Sequence, residues 1–290
     1  MQAFKKFVQQ KPSTAKTVEV FVLYHCALLL LQMLLCFPAE YRIIPERIVS
    51  LVPSQTELLY YLGLEAAVAG ITSFCIHPPH LQKSTVVIGG TKMLDSEKIK
   101  QLQPDLIIAN KEENTKLQIE ELAAYFDVWV TDVTCFADAL NMIEDIGLLT
   151  KTENKAKLLI KDITDGFSKI MPAVKNTNTC YLIWRKPYMT AGGDTFINSM
   201  LQQCGLINIY ADEKRYPEVN ANDLRKKGCQ LLLLSSEPYP FKQKHIIELQ
   251  LQLPGIKIIL ANGEMFSWYG SRMLYSAAYF SKFIDHINLL

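Results

Sequence analysis

Residues 94–110 read LDSEKIKQLQPDLIIAN, a short charged stretch, a proline, and then an unbroken apolar run. That order describes a short helix leading straight into a buried strand. The same order returns at 219–235, VNANDLRKKGCQLLLLS, with a constant offset between helix and strand. A second pair of matches, YYLGL (60–64) and QQCGL (202–206), ends a helix on Gly-Leu in each half. Together these echoes imply two similar lobes.

Outward from the repeat, short apolar runs alternate with longer amphipathic ones. RIVSLV (47–52), DLIIAN (105–110), DVWVTD (127–132), CYLIW (180–184), QLLLLS (230–235) and KIILA (257–261) have the length and composition of buried strands. Ser54-Gln55-Thr56-Glu57 has the spacing of a capping box, and LLYYLG after it supplies an apolar face and a glycine stop. Strands alternating with helices predict an α/β fold with mainly parallel sheets. Between the halves, TKTENKAKLLIKDITDGFSKIMPAV (150–174) predicts one long charged amphipathic helix joining two Rossmann-like lobes. The expected organisation is a basic head and apolar segment over 1–40, an N-terminal lobe over 41–149, the helix over 150–174 and a C-terminal lobe over 175–290.

The chain has 290 residues, 49% of them hydrophobic and 20% charged, so a sizeable core is available. A formal net charge of +1 gives no overall field to attract nucleic acid. Seven cysteines stand apart with no CxxC pair, which suits buried thiols better than a disulfide scaffold and argues mildly against an oxidising compartment. Against that stands the N-terminus, where Lys5, Lys6, Lys11 and Lys16 precede VFVLYHCALLLLQMLLCFPA (20–39). A basic head before an apolar run is the pattern of a signal peptide or anchor, long enough as a helix of ~1.5 Å rise per residue to cross a membrane. Export to the periplasm or cell envelope is therefore the expected localisation, with a cytoplasmic location as the alternative. Cys36 follows Leu35 rather than the small residue of a lipoprotein site.

Ligands in open parallel sheets bind at loops following the carboxyl ends of strands. Of these loops, AGGDT (191–195) lacks the spacing of a phosphate-binding loop and reads as a turn whose Asp194 or Thr195 caps the next helix. Cys75, His77 and His80 in CIHPPH lack a partner motif for zinc. No nucleophile elbow, HExxH or deaminase motif is present, and the neighbours Glu112 and Glu113 are expected to face water. No catalytic residue, metal ligand or cofactor is assigned. The loops do share rings and cations suited to gripping a large, partly apolar ligand with polar edges.

RIVSLVPSQTELLYYLGLEAAVAGITSFCIHPP followed by IGGTKMLDSEKIKQLQPDLIIA resembles the helical-backbone class of periplasmic binding proteins, the receptors of ABC importers for cobalamin, iron–siderophores and haem. The likeness runs from about Arg47 to the C-terminus and is closest to the cobalamin-receptor branch. It implies two α/β lobes joined by one helix, little movement on binding, and a non-enzymatic protein acting as a monomer that delivers a metal chelate, most readily a corrinoid, to a membrane permease. By loop position, the resemblance places Phe74, Thr91, Trp184, Arg185, Tyr188, Tyr216, Phe266 and Trp268 against the ligand. It also implies a permease-docking carboxylate at each lobe tip: Glu97 matches the first, while the second aligns with Asn222, beside Asp223. The alternatives are a ferric-siderophore or haem receptor, or a cytoplasmic enzyme or metabolite-handling protein on the same scaffold.

Overall fold

The computed structural model describes residues 34–35, 38, 41–173 and 177–289. The expected basic head, and the apolar run up to residue 33, lie outside the described residues. Leu34–Leu35, within that run, forms strand β1 and pairs in parallel with Val128 and Trp129. No helix among the described residues is long and apolar enough to cross a membrane.

The first lobe holds a six-stranded parallel sheet. Its strands are β1, β2 (Ile48–Ser50), β3 (Val68–Ile71), β4 (Val86–Val87), β5 (Leu106–Asn110) and β6 (Val128–Thr131), in the order β1-β6-β5-β2-β3-β4. The second lobe contains β7 (Thr177–Trp184), β8 (Met189–Thr190), β9 (Leu206–Asn208), β10 (Leu231–Ser235) and β11 (Lys257–Ala261). They run in the order β11-β10-β7-β8, with β9 beside the start of β7 and only the β7–β8 pair antiparallel. The order reverses between β2 and β5 in one sheet and between β7 and β10 in the other. Those reversals open a crevice at the carboxyl ends of the strands, which is what fixes the site.

Period-two alternation divides each central strand between two cores. Leu106 and Ile108 join a large apolar cluster shared by the two lobes, whereas Ile107 and Ala109 face the first lobe's outer helices. Leu231 and Leu233 enter the same shared cluster, while Leu232 and Leu234 face the second lobe's outer helices. Because both faces are buried, these strands carry unbroken apolar runs. The shared cluster is threaded by Ala156, Leu159, Ile163 and Phe167 on one face of the connecting helix.

The echo detected in the sequence is a structural repeat. Ser96–Leu102 leads into β5 and Ala221–Lys226 leads into β10 with the same spacing. Gly63 and Gly205 both close helices at positive φ, 82° and 72°, a backbone conformation that favours glycine.

Two local expectations change. The connecting helix covers Glu153–Phe167, not 150–174, because the preceding helix Phe136–Thr150 ends on Lys151 in the left-handed conformation and Pro172 follows soon after. The capping box at Ser54 does not form. Pro53 occupies the first helical position after Val52, Ser54 is already helical, and Glu57 turns to Arg272.

Candidate functional site

Between the lobes lies a cleft of about 860 Å³, within the ~300–1,000 Å³ span of small-molecule sites. The first lobe contributes Pro53 and Ser54 after β2, Phe74 and Ile76 after β3, Thr91 and Lys92 after β4, and Lys111 to Glu113 after β5. The second contributes Ile183 at the end of β7, Arg215 and Tyr216 after β9, Glu237 and Pro238 after β10, and Ser267 to Tyr269 near the C-terminus.

Local hydrogen bonding aims these loops. The buried Asn110 accepts the backbone N–H groups of Glu112 at 2.8 Å and Glu113 at 3.2 Å, curling the loop so that both carboxylates reach the cleft. Asn114 ties that loop to the Leu51 and Thr91 carbonyls. The pair expected to face water thus lines the cleft. In the second lobe, the Gly192 N–H donates to Arg215 O at 2.7 Å and the Gly193 N–H to Glu213 O at 2.9 Å. A Cβ on Gly193 would collide with the Ala211 carbonyl. The double glycine therefore lets segment 211–216 lie flat on the turn and present Tyr216. Thr195 caps the helix Phe196–Gln203 by accepting from Asn198, as its sequence position suggested.

Cross-lobe contacts stand at both ends of the cleft. At one, the Tyr216 phenol donates to Glu112 Oε1, and burial beside that carboxylate raises the phenol's pKa well above its usual value. At the other, Arg272 grips Glu57 in bidentate fashion, Nη2 to Oε1 at 2.7 Å and Nε to Oε2 at 3.0 Å, and reaches Glu264 Oε2 at 3.2 Å. His77 Nε2 lies 3.0 Å from Glu264 Oε1. The Trp268 indole stands between His77, edge-on at 5.3 Å, and the Arg272 guanidinium at 5.4 Å. Such packing fixes the ring on the cleft wall at low rotamer cost. Phe74, 57% exposed, offers a second ring from the first lobe.

Of the expected ligand residues, the structure brings Phe74, Thr91, Tyr216 and Trp268 to the cleft. It places Trp184, Arg185, Tyr188 and Phe266 elsewhere. Ile183 faces the cleft, so its neighbour Trp184 points to the opposite side of the strand, where it packs edge-on against Tyr239 at 5.9 Å. Arg185 pairs with Glu248 at 2.7 Å, and Tyr188 packs with Leu182, Val219 and Leu249 on the outer face. Phe266 is fully buried among Tyr181, Phe280 and Phe283, because the short helix Gly263–Ser267 turns it inward. Sequence reading missed Arg215 and Glu237; the adjacency of Glu237 to a strand end was the signal available. Cys75 is buried with its Sγ 3.1 Å from Thr56 Oγ1 and 3.3 Å from Thr72 Oγ1. Among the described residues, no group of three or more His, Cys, Asp or Glu side chains could hold a metal ion.

At the lobe tips, Glu97 is 77% exposed and 3.0 Å from Lys100. Asp223 instead accepts the Asn220 N–H at 3.2 Å as part of a helix capping box.

Residues 48–250 match the family model described as periplasmic binding protein. The vitamin B12-binding protein of Pectobacterium carotovorum subsp. carotovorum (strain PC1) is 23% identical over 84% of this chain and 90% of its own. An uncharacterised ABC transporter substrate-binding lipoprotein of Bacillus subtilis (strain 168), YvrC, is 32% identical over 58% of this chain and 57% of its own. Among solved structures, the periplasmic vitamin B12 binding protein BtuF of Vibrio cholerae superposes with a TM-score of 0.68 at 21% identity, covering 84% of this chain and 98% of that one. The periplasmic heme binding protein HutB of Vibrio cholerae gives 0.69 at 18% identity, covering 82% and 98%.

Proposed function

The chain belongs to the periplasmic binding protein family, and from that premise we propose that it is a non-enzymatic, monomeric solute-binding protein of an ABC importer whose ligand is a metal chelate, most readily a corrinoid. The observation that carries this reading is the interlobe cleft of about 860 Å³, walled by Phe74, Trp268 and Tyr216 and edged by polar groups from both lobes. Flat rings beside hydrogen-bonding groups suit a planar macrocycle with a polar fringe. The relatives named for vitamin B12 support the corrinoid assignment.

In this reading Phe74, Thr91, Tyr216 and Trp268 contact the chelate, Glu97 docks the first lobe on the permease, and the protein works in the cell envelope, held there or exported by its N-terminal segment. The second-lobe docking contact is proposed at Asp223, whose carboxylate also closes the capping box of its own helix. Calorimetric titration of the full chain with cyanocobalamin is expected to show saturable binding of one ligand per chain, weakened at least tenfold by Phe74→Ala or Trp268→Ala. Absence of heat with corrinoids, alongside saturable binding of a ferric siderophore, would move the assignment to another chelate. Recovery of the protein entirely in the cytosol on cell fractionation would refute the receptor role.

A further inference from the structure

We propose that the cleft selects a chelate presenting a cationic face, through the carboxylates of Glu113 from the first lobe and Glu237 from the second. The inference rests on the chelate-binding reading above and adds the sign of charge the ligand must carry.

Most cations in and around the cleft are already paired with carboxylates. Lys111 is paired with Asp132 at 2.6 Å. Arg215 lies 3.8 Å from both Asp194 and Glu112, so its charge is shared by two carboxylates. Arg272 is held by Glu57 and Glu264. Lys92 donates to the backbone carbonyl of Glu112, and its charge partly offsets that of Glu113 without forming an ion pair. Glu113 and Glu237 are the cleft carboxylates with no ion pair among the described residues. Glu237 Oε1 accepts a hydrogen bond from Ser267 Oγ at 2.5 Å, a neutral donor.

Both carboxyl groups are pushed above the ordinary carboxylate range. For Glu113 the main cause is burial, with Glu112 and, across the cleft, Glu237 adding repulsion that Lys92 offsets in part. For Glu237 it is again burial, with Glu264 adding repulsion, and Ser267, Trp268 and Arg272 opposing. The phenols of Tyr216 and Tyr269 also face Glu113 and remain neutral. Two partly desolvated carboxylates, one per lobe and neither in an ion pair among the described residues, leave a negative potential that Lys92 and Arg272 offset only in part and that a ligand of opposite charge would satisfy. A chelate fringed with carboxylates, such as haem with its propionates, would meet repulsion at the same place.

The test compares two forms of one macrocycle that differ in charge. Diaquacobinamide is cationic and dicyanocobinamide is neutral. Each is titrated into the full chain by absorbance and calorimetry, beside haemin. The cation is expected to bind at least about tenfold tighter than the neutral form, with haemin weakest. That preference should shrink as salt rises, and as pH falls through the raised carboxyl range and protonates the pair. In Glu113→Gln and Glu237→Gln, whose folding is checked by thermal melting, the ratio of the two cobinamide affinities should fall toward unity. Equal affinity for the two cobinamides, a preference retained by both glutamine variants, or haemin binding as tightly as the cation would overturn the charge inference and leave the chelate reading standing. No binding of any of the three by folded protein would overturn the chelate reading, and this inference with it.

Discussion

Arg272 holds two carboxylates from different parts of the chain while only 10% of its side chain is exposed. Replacing it with alanine strands Glu57, leaves Glu264 to His77, and removes one of the two groups bracketing Trp268. Breaking a buried pair from one side costs about 3–5 kcal/mol, so Arg272→Ala should shift the denaturant midpoint strongly. Phe266 makes a complementary case. Its ring lies in the shared core, so Phe266→Ala should cost about 3–5 kcal/mol in chemical denaturation. Phe74→Ala, at an exposed ring, should leave stability nearly unchanged and register in ligand affinity instead. Glu113 sets a pH dependence of stability. Its folded pKa is raised, so the folded state is favoured where the group is protonated, and that advantage is lost as pH rises from the ordinary carboxylate value through the raised one. Glu113→Gln is therefore expected to melt higher than wild type at pH 7.5 in the absence of ligand, with the difference vanishing below about pH 4, where both states are protonated. An unchanged difference at both pH values would show that the carboxyl is not desolvated.

At the scale of elements, two turns carry the site. The turn at Gly192-Gly193 is a close-approach device: segment 211–216 lies against it through two backbone hydrogen bonds, and Tyr216 and Arg215 ride on that segment. Gly193→Ala should displace the segment, lowering chelate affinity together with stability, whereas Tyr216→Phe should lower affinity with a smaller effect on folding. The helix starts at the two lobe tips are chemically unlike each other despite their matching place in the repeat. Asp223→Ala removes the reciprocal half of a capping box, leaving the Asn220 cap in place, and should lower the melting temperature slightly. Glu97→Ala removes an exposed charge and should leave the melting temperature unchanged. A permease-dependent uptake assay that responded to Asp223→Ala but not to Glu97→Ala would reverse the docking assignment.

At the scale of the molecule, the lobes are not independent bodies. One apolar cluster runs from Leu58 and Leu59 in the first lobe through Leu159 and Ile163 on the connecting helix to Met200 and Phe280 in the second. The C-terminal helix Met273–Leu289 packs on that connecting helix, and the short turn Gly270–Arg272 packs on the helix Pro53–Tyr61. Opening the cleft would have to break this cluster as well as the Arg272 and Tyr216 contacts. Ligand binding should therefore leave the radius of gyration nearly unchanged in small-angle X-ray scattering; contraction on the scale of a hinge closure would contradict the braced arrangement.

The α/β class, the two similar lobes and most strands to within a few residues were legible in the sequence. Those features depend on local periodicity and on a repeat, both written along the chain. Phe74, Thr91, Tyr216 and Trp268 were legible through the family resemblance, which carried the ligand-facing role to them by the position of their loops. The tertiary structure decided what periodicity leaves open. It turned Ile183 inward and Trp184 outward by strand parity, buried Phe266 through the pitch of a five-residue helix, and drew Glu57 from its expected cap to Arg272. It also brought Glu113 and Glu237, 124 positions apart in the sequence, into one electrostatic field. Hydrophobic pattern records which face of an element avoids water. Which charges end up sharing a cleft depends on contacts between distant segments, and no local pattern encodes them.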